Sequence, residues 1–138
     1  MNHYRKTVKV YRKRRKAQAC PFCNPETLAK AIYQNDQIYV VPNVTQYDLW
    51  ESYDVKDHLL IVPKRHVAKL PELDDKEKLA IMQVAADYEA KGYNIYARGV
   101  GFANRSVEHQ HTHLIKVSNK RPNLVLFLDR PFYYLFKK

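Results

Sequence analysis

The segment His109-Gln110-His111-Thr112-His113-Leu114-Ile115 places three histidines on alternate residues in an apolar setting. Successive side chains of a β-strand point to opposite faces, so residues two apart share a face at about 6–7 Å spacing. Read as one strand from Val107 to Val117, the segment lines one face with Val107, His109, His111, His113, Ile115 and Val117. The other face carries Glu108, Gln110, Thr112 and Lys116. Imidazole is the side chain best suited to nucleophilic, acid–base or metal chemistry near neutral pH. Half of the chain's six histidines fall within these five residues, so the clustering points to a site.

The elements that position such a strand follow from the patterning. Gln37–Val41 reads as a strand stopped by Pro42-Asn43, Tyr47–Tyr53 as another, and His58–Val62 as a more buried third that Pro63 ends. Thr27–Tyr33 fits a short helix or an extended lead-in. The clearest helix runs from Asp74 or Asp75 to about Lys91, with an acidic start suited to the N-cap and first turn. Its apolar stripe is Leu79, Met82, Ala86 and Ala90, widened by Ile81, Ala85 and Tyr88, and Gly92 is placed to close it. Tyr93–Ala97 and Val107–Val117 follow as strands, then Leu124–Leu128 and Tyr133–Phe136 around Asp129-Arg130-Pro131. This order predicts an α+β domain, an antiparallel sheet covered by one main helix.

The 138 residues suffice for one domain with a real core. We expect a basic arm over 1–16 and a single domain over 17–138. The arm holds eight Lys/Arg and no acid. Removing those eight from the chain's 24 leaves 16 against 14 acids, so the arm carries most of the +10 charge. Such a run can neutralise nucleic-acid phosphates or serve only as a solvated face, and Tyr4 and Tyr11 are its only stacking candidates. No apolar run has membrane-spanning length, and no apolar segment of a secretory signal follows the basic residues. The expected location is cytoplasmic, without a membrane partner. Cys20-Pro21-Phe22-Cys23 then suggests metal binding or redox chemistry over a structural disulfide.

The histidine strand resembles the signature of the histidine-triad (HIT) family, His-x-His-x-His followed by two apolar residues. His58-Leu59-Leu60-Ile61-Val62-Pro63-Lys64-Arg65-His66 resembles the family's strand ending in Pro-Lys-x-His, and both blocks occur in the family's order. The resemblance covers roughly residues 20–117. It implies a HIT-like fold with an antiparallel sheet of about five strands. It also implies a nucleotide hydrolase or nucleotidyl transferase that cleaves a bond at a nucleoside α-phosphate. His111 would be the nucleophile, carrying a covalent nucleotidyl group, with its other nitrogen donating to a fixed acceptor. His113 and His58 match positions that line the phosphate site, and Ser106 matches a position that contacts phosphate.

The zinc-containing members that this chain resembles hold the metal with an N-terminal Cys-x-x-Cys and two histidines. Carried over, the ligands are Cys20, Cys23, His66 and His109, a filled and therefore structural zinc site. A redox pair and two free thiols are the other readings of the cysteines. Homodimers are common in the family, and the apolar segment after Asn119 either completes the sheet or packs on a partner.

The chain departs from the pattern in the loop before the triad. Arg105 stands where the family has Gln, Arg98 stands near its usual Asn, and Ala103 and Asn104 are unlike its glycines. Two arginines at the phosphate site would stabilise a charged transition state or hold phosphate tightly with slow turnover. Gln110 and Thr112 suggest a less buried back face, or one covered by the C-terminal segment. Ile38, Val40 and Leu49 are base-pocket candidates from strand position. Two other readings stand beside the enzyme. One is a nucleic-acid-linked HIT protein bringing RNA or DNA 5′ ends to the pocket through its arm, and the other is a non-catalytic nucleotide-binding module.

Overall fold

The computed structural model describes residues 20–102 and 105–121, and the backbone of two further strands, 124–129 and 132–137. The basic arm, Ala103 and Asn104 lie outside the described residues. In chain order the elements are α1 (Pro25–Leu28), β1 (Tyr33–Gln34), β2 (Ile38–Pro42), β3 (Leu49–Trp50) and β4 (Tyr53–Pro63). They continue with α2 (Asp75–Glu89), β5 (Asn94–Tyr96), β6 (Thr112–Val117), β7 (Leu124–Asp129) and β8 (Phe132–Lys137). Thr27–Tyr33 thus divides between the end of α1 and the start of β1.

The main sheet runs β1-β2-β4-β6-β5, with β3 paired to β4, so it has six strands where about five were expected. Every pairing is antiparallel. Register sorts the faces. Opposite residues share a face, and Leu60↔His113, Val41↔Leu60, Tyr39↔Val62, His58↔Ile115 and Tyr96↔His113 put both histidines on one side. Leu59, Ile61 and Leu114 alternate to the other side and form the core with Ile38, Val40, Ile81, Val84 and Ala85. One face therefore meets α2, and the opposite face carries the histidines.

The N-terminus of α2 is set by reciprocal capping. Asp74 Oδ1 accepts from the Glu77 N–H at 2.8 Å, and Glu77 Oε2 accepts from the Asp74 N–H at 2.8 Å. An N-cap of this kind contributes about 1 kcal/mol. Glu77 is nevertheless buried, which its two bonds from Arg65 Nε and Nη2 at 3.1 and 2.6 Å make tolerable.

Several expectations need correction. The core-facing stripe of α2 is Ala80, Ile81, Val84 and Ala85, whereas Leu79, Met82 and Ala86 face outward. Two apolar stripes compete on this helix, and the one carrying Ile81 and Val84 packs into the core against the sheet. The segment Tyr47–Tyr53 is a hairpin, not one strand: Glu51 and Ser52 adopt φ of 49° and 66° between β3 and β4. The histidine strand begins only at Thr112. Upstream, the Gln110 N–H donates to the Val67 carbonyl at 2.6 Å, drawing the chain toward the segment after β4 and off the ladder. Gln110 and Thr112 are buried, so the back face is closed. Ile38 and Val40 lie in the α2 core, away from the histidine face, and the face-sharing residues of β2 are Tyr39 and Val41. The C-terminal strands β7 and β8 pair with each other in a separate two-stranded sheet and do not extend the main one.

Candidate active site and metal centre

Although His109 and His111 precede β6, backbone acceptors fix both rings. His111 Nδ1 lies 2.8 Å from the His109 carbonyl, and His109 Nε2 lies 2.9 Å from the Pro63 carbonyl. A carbonyl only accepts, so in each neutral ring the bonded nitrogen carries the hydrogen. His111 is left with a lone pair on Nε2, the form a nucleophile needs. Burial lowers its proton affinity, the His109 bond opposes this, and the Arg105 and Arg98 cations add to the lowering.

A second chain of bonds fixes His58 and His113. The backbone N–H of Tyr47 donates to His58 Nδ1 at 3.1 Å, so the neutral His58 ring carries its hydrogen on Nε2. That nitrogen lies 2.9 Å from His113 Nδ1 and donates to it. His113 must then carry its hydrogen on Nε2, which is buried and has no hydrogen-bond partner among the described residues. A buried donor without a partner costs about 1–3 kcal/mol, which an anionic ligand would recover. Burial, followed by His111, His58 and Arg98, pushes the His113 pKa down to about 2, so this donor is neutral at physiological pH. Its ring lies 5.0 Å from that of His111.

Around these rings stands an aromatic wall. Tyr47 packs 4.3 Å from His58 and 5.5 Å from His113, and Tyr96 lies 5.7 Å from His113 and 5.1 Å from Trp50. Arg98 Nη2 donates to the Tyr47 hydroxyl at 3.0 Å. Arg105 is used differently: its guanidinium donates to the carbonyls of Val107, Ala68 and Glu108, tying the loop to the segment after His66. Ser106 is exposed beside it. Tyr47 escaped the sequence reading because its bond to His58 comes through a backbone N–H, for which residue type gives no signal. Asn43, whose side-chain amide lies 3.1 Å from His58 Nε2, escaped as a stop signal after β2.

Cys20, Cys23, His66 and His109 converge as the sequence reading required. Their ligand atoms all lie within 4.8 Å of one another, close enough to bind one metal ion. His66 Nδ1 is 3.1 Å from Cys23 Sγ, and His109 Nδ1 is 3.6 and 3.5 Å from the two sulfurs. The donor set passes a chemical test. The Pro63 bond leaves His109 Nδ1 as the metal-facing lone pair, and such an outer acceptor is what orients a ligating imidazole. Tyr39 anchors the knuckle by donating to the Phe22 carbonyl at 2.6 Å, and the Phe22 ring lies 5.1 Å from His111.

Comparison with known proteins agrees with this geometry. Residues 24–120 match the HIT domain family. An uncharacterized HIT-like protein of Methanocaldococcus jannaschii is 27% identical over 106 residues, covering 70% of this chain and 77% of that protein. The adenosine 5′-monophosphoramidase hnt1 of Schizosaccharomyces pombe is 32% identical over 73 residues, covering 50% of this chain and 55% of that protein. Among solved structures, a HIT family hydrolase from Clostridium thermocellum superposes with a TM-score of 0.54 at 21% identity. It covers 78% of this chain and 97% of its own. A histidine triad nucleotide-binding protein from Candida albicans gives 0.52 at 19% identity, covering 72% and 76%. At these identities the two structures establish the shared fold.

Proposed function

This chain belongs to the HIT domain family, and from that premise we propose that it is a nucleotide hydrolase or nucleotidyl transferase working through His111. The observation that carries the reading is the complementary pair of ring states. His111 presents a lone pair on Nε2, and His113 presents a buried Nε2–H with no partner among the described residues. A nucleophile and an electrophilic donor on adjacent rings suit attack on a phosphorus atom whose oxygens gain charge in the transition state. His58 holds the His113 tautomer. Arg98, against Tyr47, adds positive charge beside both rings, and Ser106 and Arg105 border the same loop. Water or another acceptor then releases the nucleotidyl group.

Zinc is the metal that best suits two thiolates and two imidazoles, and with all four positions filled its role is structural. When bound it locks the Cys20–Cys23 knuckle to His66 and His109. A cytoplasmic location fits a Cys-x-x-Cys read as a metal-binding pair, and no described helix is long and apolar enough to cross a membrane. A homodimer fits the outward stripe of α2, where Leu79 and Met82 are 58% and 65% exposed, beside the edge strand β5 with its exposed Ile95.

The test is turnover of adenosine 5′-phosphoramidate, a diadenosine polyphosphate and a 5′-adenylated oligonucleotide by wild type and His111→Ala. The reading expects cleavage of at least one substrate, with kcat lost in the variant. Equal activity in both proteins would remove His111 from the mechanism.

A second reading rests on the arm, whose eight cations would deliver nucleic-acid 5′ ends to the same site. It expects oligonucleotide affinity to fall steeply with salt, and that dependence to disappear when residues 1–16 are deleted.

A further inference from the structure

A group that leaves phosphorus as an amine or an alkoxide must gain a proton as its bond breaks, and the histidines of this site hold none to give. His113 is neutral at physiological pH, its pKa pushed down to about 2 by burial and then by His111, His58 and Arg98. Its Nε2–H can donate a hydrogen bond, but a neutral imidazole releases no proton near neutrality. The His58 hydrogen is committed to His113 Nδ1 at 2.9 Å, and that of His111 to the His109 carbonyl. Guanidinium groups do not deprotonate in proteins. A phenol stands against the same rings. The Tyr47 side chain packs 4.3 Å from His58 and 5.5 Å from His113, and its backbone N–H donates to His58 Nδ1 at 3.1 Å. Arg98 Nη2 donates to its hydroxyl oxygen at 3.0 Å. The same guanidinium lowers the proton affinity of both His111 and His113, so its charge acts on the two reacting rings and on the phenol together.

We infer that the Tyr47 hydroxyl is the catalytic acid that protonates the leaving group, and that Arg98 stabilises the phenolate it becomes. The inference rests on the proposed nucleotidyl transfer at His111. In the first step the His111 Nε2 lone pair forms the N–P bond. The bond from phosphorus to the leaving nitrogen or oxygen breaks, its electron pair stays on the leaving atom, and that atom takes the Tyr47 proton. The phenolate then faces the Arg98 guanidinium, a fixed cation already in place where the charge develops. Tyr47 is buried, and a charge pair shielded from water interacts more strongly than an exposed one. In the second step water forms the new P–O bond, the N–P electron pair returns to His111, and the phenolate takes a proton from that water. Tyr47 ends as it began, and no further acid or base is required.

Tyr47→Phe in the full chain tests this, because it removes the hydroxyl and keeps the backbone N–H that fixes His58 and the ring that packs on His113. Two substrates are compared. The amine of adenosine 5′-phosphoramidate must be protonated to leave, whereas the anion of the 4-nitrophenyl ester of adenosine 5′-monophosphate leaves unaided. The readout is the ratio of kcat/KM for the first to kcat/KM for the second, in which any loss of folded protein cancels. It should fall about 100-fold in Tyr47→Phe, the effect of removing one general acid. An unchanged ratio overturns the inference and leaves the nucleophile in place, whether both rates persist or both fall together. Wild type supplies a second readout without substitution. Across a series of aryl esters of adenosine 5′-monophosphate, log(kcat/KM) should depend weakly on leaving-group acidity in wild type and steeply in Tyr47→Phe. A steep dependence in wild type also overturns the inference. Cleavage of neither substrate by wild type removes the His111 reading itself, and this role of Tyr47 with it.

Discussion

The side chain of His111 is held by the backbone of His109: its Nδ1 donates to the His109 carbonyl at 2.8 Å. His109 thereby acts twice, since its own Nδ1 faces the sulfurs of Cys20 and Cys23 at 3.6 and 3.5 Å. The candidate metal knuckle and the proposed nucleophile therefore share one residue, His109.

The first consequence concerns metal removal. The purified protein should contain one zinc per chain, and chelation or Cys20→Ser should lower the thermal midpoint by at least about 5 °C. Elemental analysis with calorimetry checks this. A midpoint indifferent to chelation would separate the knuckle from the stability of the fold.

His58 tests the tautomer relay. Replacing it by Ala removes the donor to His113 Nδ1 and the acceptor of the Tyr47 N–H. His113 is then at liberty to move its hydrogen to Nδ1. The expected loss is about 10- to 100-fold in kcat with a smaller change in KM. His58→Gln, which keeps a donor, should recover part of it. A change confined to KM would make His58 a binding residue only.

Acid sensitivity follows from His113. Its pKa is pushed down to about 2 by burial and then by His111, His58 and Arg98, while an unfolded histidine titrates near 6.5. Between these values the unfolded chain binds the proton and the native chain does not. Stability is therefore complete above about pH 6.5 and falls as the pH drops, by up to about 1.4 kcal/mol per pH unit for this one group. Urea unfolding from pH 7 to 5 should show that slope, and His113→Asn should reduce it. Identical slopes would mean that His113 is already charged in the native protein.

Much of this site is legible in the sequence because strand register carries chemistry across the fold. His58 and His113 lie on one sheet face as alternation demands, and Cys-x-x-Cys meets His66 and His109. Other features are less accessible. Glu51 and Ser52 turn the β3–β4 hairpin without a glycine or asparagine to announce it. On α2, Leu79 and Met82 outweigh Ala80 and Ala85 in any hydrophobicity count, yet the small residues face the sheet. Arg105 looks like a phosphate ligand by position, and only the fold shows its guanidinium engaged with three carbonyls. The Tyr47 contact is backbone chemistry, which residue identity does not encode.

That outward stripe of α2 supplies a prediction about assembly. Exposed Leu79 and Met82 beside β5 should be covered by a second copy of the chain. Sedimentation should give a dimer for wild type and a monomer for the Leu79→Lys, Met82→Lys double variant. A monomeric wild type at micromolar concentration would contradict it.

The central claim is covalent chemistry at His111, and the most direct measurement is intact and peptide mass after rapid acid-free quenching with a turned-over substrate. Wild type should gain the mass of one nucleotidyl group, located on the peptide containing His111, and His111→Ala should gain none while keeping its fold and zinc. Turnover with no adduct at any time point, or an adduct that persists in His111→Ala, would contradict the account.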